Sequence, residues 1–177
     1  MTGHLLHGMH TGVAGAALMG LLTSVLAPLL VLAGRRRAAR SAASARSRPW
    51  LAAGILVAFT VVHAATVLLI GPDTATSVTL AVHVVLLLGA VAFWLPVLGH
   101  GTTRLPDAGR AIYLFLACPL LDTAALALVV RGDEPAGVAM IVAMLPIGAA
   151  AIVLTLRWIA VEEREAHAVD EALEEVR

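Results

Sequence analysis

Two histidines stand inside otherwise apolar stretches of the chain. His63 lies in "FTVVHAATVLLI" and His83 in "TSVTLAVHVVLL", on either side of the turn "GPDTAT". An imidazole in hydrocarbon is costly without a partner and often marks function. On helices that rise ~1.5 Å per residue, both rings lie ~10 Å below the helix ends next to this turn. Adjacent antiparallel helices can bring the two rings face to face at one helix–helix interface, so we predict that they share a ligand. The alternative is that each ring forms a hydrogen bond to a carbonyl or hydroxyl of a neighbouring helix.

Three further side chains are expected at a similar depth. Asp122 lies in the apolar stretch before "RGDEP", and Met140 and Met144 follow that turn, four residues apart and therefore on one helix face. Imidazole with thioether is a ligand set for Cu(I), and imidazole with carboxylate suits Cu(II). The set predicts a copper site, in which Asp122 pairs with one of the histidines. For the methionines, packing in the core or against lipid is the alternative.

The N-terminal segment "HLLHGMH" adds His4, His7 and His10 at three-residue steps, which share a helix face. Such a segment can capture a cation before it reaches the buried pair, although an interfacial segment with incidental histidines is an equal alternative. The single cysteine, Cys118, has no second cysteine to pair with, which excludes disulfides and cysteine-rich metal sites.

The composition is that of a membrane protein. The chain has 177 residues, of which 60% are hydrophobic and 14% charged, and its mean hydropathy is +0.92. Five apolar stretches have about the ~20 residues needed to span a bilayer as helix. They are residues 11–33, 50–70, 78–98, 111–130 and 136–156. We therefore predict an all-α, polytopic bundle of five transmembrane helices. Trp50, Trp94 and Trp158 fall near the ends of these stretches and are predicted interfacial anchors.

The arginines predict the orientation of the bundle. When the connecting segments are assigned alternately to two sides, eleven arginines fall on one side and only Arg131 on the other. The positive-inside rule then places the N-terminus outside and the C-terminus in the cytoplasm.

Residues 1–160 form the predicted membrane domain, and residues 161–177 an acidic helical tail that can rest on the membrane, dock on a partner or pair with its own copy. The net charge of zero gives no reason to expect nucleic acid, whereas the basic loop is expected on lipid headgroups.

From His83 onward the chain resembles the CtaG family of cytochrome c oxidase assembly factors. The resemblance rests on "LLLGAVAFWLPVLG" after the histidine, "RLPDAGRAIYLFLACP", "GDEPAGVAMIVAMLPIG" and "LRWIAVEEREA". The residues at family positions are His83, Phe93, Trp94, Pro96, Tyr113, Asp133, Ala136, Gly137, Met140, Trp158, Glu162, Glu163 and Arg164, with His63 matching a histidine one helix earlier. Typical members look like seven-helix proteins, so this five-helix chain resembles a shortened, divergent member.

The resemblance implies a non-enzymatic role in the bacterial plasma membrane, supplying copper to cytochrome c oxidase subunits. No catalytic triad, phosphate loop or His-Glu-x-x-His segment argues for an enzyme instead. Two alternatives remain open: an electron carrier whose His63 and His83 ligate one b-type haem, and a small structural subunit of a respiratory or transport complex, in which the same helices support partners or a homo-oligomer.

Overall fold

The bundle is known from a computed structural model. It describes the backbone of residues 2–38, 48–70, 74–100 and 103–175, and side chains within these ranges from residue 12 to 35 and from 48 to 174. The described chain is helical and contains no strand. The helices are α1 (Thr2–Leu21), a π-helical turn (Leu22–Leu26), α2 (Ala27–Ala38), α3 (Pro49–Leu69), α4 (Thr76–Leu98), α5 (Asp107–Val130) and α6 (Glu134–Glu175).

Five helical segments of the described chain are long and apolar enough to cross a membrane, which confirms the predicted all-α membrane bundle. They are Gly12–Arg35, formed by α1, the π-helical turn and α2, then Pro49–Leu69, Thr76–Leu98, Asp107–Val130 and Glu134–Glu174. The fourth begins four residues before the predicted start, because Asp107 follows Pro106 and opens the first turn. The orientation of the termini remains a prediction.

Helix α6 lies between α5 and α1, and α3 lies between α5 and α4. Glycines permit the closest approaches to α6. A Cβ on Gly20 would come within 2.6 Å of Ala143 Cβ, and one on Gly137 within 2.7 Å of the Ala125 carbonyl oxygen. Small residues let transmembrane helices gain van der Waals contact where no hydrophobic effect drives them together. These two glycines therefore set the spacing of α1, α5 and α6.

The first span changes its hydrogen-bond register at the π-helical turn. The Ala27 N–H donates to Leu22 O, five residues back. In that register Pro28 would donate to Thr23 O, but proline has no N–H. The Thr23 oxygen instead accepts a hydrogen bond from Trp94 Nε1 of α4 at 2.7 Å. A side chain of a neighbouring helix thus satisfies the carbonyl that proline leaves free, as a lipid environment requires.

Trp94 is therefore not the interfacial anchor that the sequence predicts. It is 2% exposed and packs edge-on against Phe93, with ring centroids 5.7 Å apart. Phe93 in turn contacts Phe59 of α3 at 5.1 Å and Tyr113 of α5 at 5.3 Å. The Tyr113 hydroxyl donates to Phe93 O at 3.0 Å. This aromatic cluster joins α3, α4 and α5 in the interior, which explains why the indole points inward.

A tight corner joins α5 to α6. Gly132 adopts a left-handed conformation with φ 89°, its N–H donates to Val129 O at 3.0 Å, and the Asp133 N–H donates to Leu128 O at 3.0 Å. This pair of bonds is the Schellman ending of a helix, for which glycine is favoured. Asp133 then caps α6, accepting from the Ala136 N–H at 3.4 Å. Two antiparallel helices result, with Asp133 held at the end of the bundle.

Helix α6 continues far beyond its apolar part. Every described side chain from Glu162 to Glu174 is exposed, including Val169 and Leu173 at 58% and 62%. The acidic tail is thus a continuous helical extension of the fifth span.

Candidate functional site

A cavity of about 470 Å³ lies at the end of the bundle where α3 and α5 finish and α4 and α6 begin. This is the end that the arginine distribution predicts to face outward. Its walls include Gly15 and Met19 of α1, His83 of α4, and Asp133 and Met140 of α6. One of the two membrane histidines and one of the two predicted methionines therefore line the same space.

A hydrogen bond fixes the tautomer of the neutral His83 ring. Nδ1 lies 2.7 Å from Thr79 O, one turn earlier in α4. A carbonyl oxygen only accepts, so in the neutral ring Nδ1 carries the proton and Nε2 has the free lone pair. Nε2 is buried and has no partner within the described part of the chain. A backbone carbonyl on one ring nitrogen commonly orients the other nitrogen of a metal-binding histidine.

Two thioethers share the cavity with His83. Met140 is 0% exposed and Met19 5% exposed. Met19 was not predicted from the sequence, although its distance of four residues from Gly15 places both on one face of α1. Met144 is also buried, at 5% exposure, but does not line the cavity.

Asp133 adds a carboxylate to the cavity wall. Its Oδ1 caps α6, while Oδ2 lies against α1, 3.3 Å from the position that a Cβ on Gly12 would take. One oxygen of the carboxylate thus has a structural role. Its charge lowers the cost of a cation in the cavity.

His63 occupies different surroundings. It is 0% exposed, its ring lies 6.0 Å from that of Phe59, and it is not among the described residues that line the cavity. Neither ring nitrogen has a hydrogen-bond partner in the described chain. The predicted alternative, an interhelical hydrogen bond, is therefore not made by the ring within that part of the chain. A buried polar ring without partners is uncommon and costs free energy.

The predicted pairing of Asp122 with a membrane histidine is wrong. His83 Nδ1 bonds to Thr79 O, and the other three ring nitrogens of the two histidines are unpartnered among the described residues. Asp122 is half-buried on α5, and its carboxylate interacts electrostatically with the thiol of Cys118, one turn earlier. The Cys118 Sγ lies 4.0 Å from where a Cβ on Gly148 would stand. Asp122 therefore lies on the flank of α5 near α6.

The predicted N-terminal histidines His4, His7 and His10 lie outside the residues whose side chains the structure describes, although α1 includes their backbone. Within the described side chains, no three from His, Cys, Asp and Glu come together as a metal-binding group. The cavity instead combines one imidazole with two thioethers.

Comparisons with protein-family models, curated proteins and solved structures give no match to this chain.

Proposed function

We propose that this membrane protein binds Cu(I) in the cavity at the end of the bundle and passes it to a haem-copper oxidase during assembly. One observation carries the copper part of the proposal: His83, Met19 and Met140 line the same cavity. The oxidase part rests on the resemblance of the chain to CtaG-like assembly factors, in which His83 and Met140 stand at family positions.

The donor set favours Cu(I) over other metals. Cu(I) is a soft ion that accepts thioether and imidazole ligands, whereas magnesium and calcium require several oxygens. Structural zinc sites take four ligands, mostly Cys and His. The cavity offers one imidazole nitrogen with a free lone pair, two sulfur atoms and the nearby charge of Asp133. His83 would bind the ion, and the methionines would complete its coordination.

A carrier must release its cargo as well as bind it, and the cavity suits exchange. Its lining is contributed by helix ends and a connecting segment at one end of the bundle. In the predicted orientation, copper enters from outside the bacterial plasma membrane and meets an oxidase subunit there. The protein needs no catalytic group for this role, so we propose a metallochaperone and no enzyme.

Metal content tests the copper site directly. Detergent-purified protein is loaded with Cu(I), desalted and analysed for bound copper, comparing wild type with His83→Ala and His63→Ala. We expect near-stoichiometric copper in wild type, loss in His83→Ala and retention in His63→Ala. Equal copper in wild type and His83→Ala would overturn the site and favour a structural subunit. A Soret band in the wild-type spectrum would favour haem.

The assembly role requires a separate measurement. In cells that depend on this protein, His83→Ala expressed at wild-type level should lower cytochrome c oxidase activity, and added copper should restore part of it. If oxidase activity is unchanged although the purified His83→Ala protein lacks copper, the oxidase role is rejected. The proposed copper site of the wild-type protein would still stand.

A further inference from the structure

Positive charges gather at the opposite end of the bundle. Arg35 ends the first span, Arg104 and Arg110 flank the start of α5, and Arg157 lies on α6. All four lie at the end of the bundle where the first span and α4 finish and α5 begins, because Arg157 stands 23 residues into α6, which starts at the other end. Arg35 Nε also donates to His100 Nε2 at 3.1 Å. Three helices and the connecting segment before α5 thus contribute cations to this end of the bundle.

Arg110 is the buried member of this arginine cluster. It is 9% exposed, and its Nη2 forms an ion pair with Asp107, one turn earlier. Its Nε is buried and has no hydrogen-bond partner within the described residues. A buried guanidinium is stable only when its charge and its donors are matched. Among the described residues, Asp107 supplies the only carboxylate that forms an ion pair with this cluster, one negative charge against four positive ones.

The start of α5 also favours an anion. The first N–H groups of a helix have no intrahelical acceptor, and the helix dipole makes this end favourable for anions. Arg110 lies in the first turn of α5, which starts at Asp107. Among the described residues, the unpartnered Nε of Arg110 and the start of α5 therefore both favour an anion at this end of the bundle.

We propose that the arginine cluster binds the phosphate of an anionic phospholipid headgroup. Guanidinium groups match phosphate oxygens with paired, charge-assisted hydrogen bonds. The cluster lies where four of the membrane-spanning segments end or begin, which is the depth of headgroups in a bilayer. In the predicted orientation it faces the cytoplasmic leaflet, where anionic lipids attract basic groups. The site is independent of the copper cavity at the other end.

Native mass spectrometry tests the lipid site. Detergent-purified protein is titrated with phosphatidylglycerol, with phosphatidylcholine and with inorganic phosphate. We expect wild type to retain phosphatidylglycerol about tenfold more tightly than phosphatidylcholine, and Arg110→Gln to lose about tenfold in affinity for the anionic lipid. Arg131→Gln is the matched control, because Arg131 is exposed at the other end and should leave binding unchanged.

Two further variants keep the test decisive if Arg110→Gln does not fold. Arg157→Gln removes an exposed member of the cluster. Arg110→Lys keeps the charge but loses the planar donors of the guanidinium group. Each variant should weaken phosphatidylglycerol binding more than Arg131→Gln does. Equal binding of both lipids, or equal binding by Arg157→Gln and Arg131→Gln, would overturn the proposal. Phosphate displacing the lipid at comparable concentration would assign the cluster to a free anion instead.

Discussion

Trp94 of α4 donates its indole N–H to the carbonyl oxygen of Thr23 in the first span, at 2.7 Å. This oxygen has lost its helical donor because of the π-helical turn and Pro28. The same turn lets Ser24 Oγ donate to Ala143 O of α6 at 2.6 Å. One irregular turn therefore ties the first span to α4 on one side and to α6 on the other, below the cavity walls that Met19 and Met140 provide.

Trp94→Phe should destabilise the bundle through this hydrogen bond. Phenylalanine keeps most of the apolar volume but leaves Thr23 O unsatisfied in the interior. Interhelical hydrogen bonds in membranes contribute about 1 kcal/mol, so we expect a loss of ~1–2 kcal/mol. Unfolding in mixed micelles of increasing denaturing-detergent content measures the change.

Trp158→Phe is the matched control for Trp94→Phe. Its indole donates to Glu162 Oε1 at 2.9 Å on the exposed part of α6, where water replaces the lost bond. We expect its stability to change by less than ~0.5 kcal/mol. Equal destabilisation by the two substitutions would mean that the Thr23 bond contributes nothing specific.

Met140→Leu should remove copper binding while preserving the fold. Leucine conserves volume, so the cost in stability should stay below ~1.5 kcal/mol. Met144→Leu is the control on the same helix, because Met144 is equally apolar and buried but does not line the cavity. Bound copper after Cu(I) loading is the measurement. Retention of copper by Met140→Leu, or its loss from both variants, would contradict the proposed ligand set.

Gly15→Leu should block the cavity without removing a ligand. A Cβ at Gly15 meets no atom within 4 Å, and Gly15 lines the cavity, so a larger side chain has room to enter it. We expect wild-type thermal stability with loss of bound copper. Gly34→Leu is the control, since Gly34 is also open but lies at the other end of the first span. Full copper binding by Gly15→Leu would place the metal elsewhere.

The five spans could be predicted because hydropathy and length alone decide whether a segment crosses a bilayer. The start of α5 at Asp107 was less predictable, because a polar residue opens an apolar helix there. The continuation of α6 to Glu175 was predictable, because the apolar residues of the acidic tail keep helical spacing. The π-helical turn has no signature in the sequence except Pro28. It depends on the Trp94 indole, which comes from a part of the chain 71 residues away.

The candidate site was predictable in depth but not in direction. A helix rotation of one residue is ~100°, and the sequence does not say which way each face turns once five helices pack. Hence His83 and Met140 reach the cavity, His63 contacts Phe59, and Asp122 lies beside Cys118. Met19 was missed because an isolated methionine in an apolar helix has no distinguishing feature until its neighbours are known.

Gly20→Ala should separate α1 from α6. The added Cβ would come within 2.6 Å of Ala143 Cβ and 3.2 Å of Met140 O, so the helices must move apart. Overpacking of this kind costs ~1–3 kcal/mol. It also shifts Met19 and Met140 relative to one another, so copper affinity should fall. Gly54→Ala, which meets nothing within 4 Å, should be neutral or slightly stabilising. Equal stability of the two variants would show that α1 and α6 do not depend on this contact.

His63→Leu separates the two possible roles of the buried imidazole. Both ring nitrogens lack partners among the described residues, so a ring with no ligand only costs free energy at this position. Leucine removes that cost and should stabilise the bundle by ~1 kcal/mol, with bound copper unchanged. The measurements are detergent unfolding and metal content of the same preparation, with His167→Leu on the exposed tail as the neutral control. Loss of copper from His63→Leu would instead make His63 a ligand, which requires α3 to turn its face toward the cavity when the metal binds.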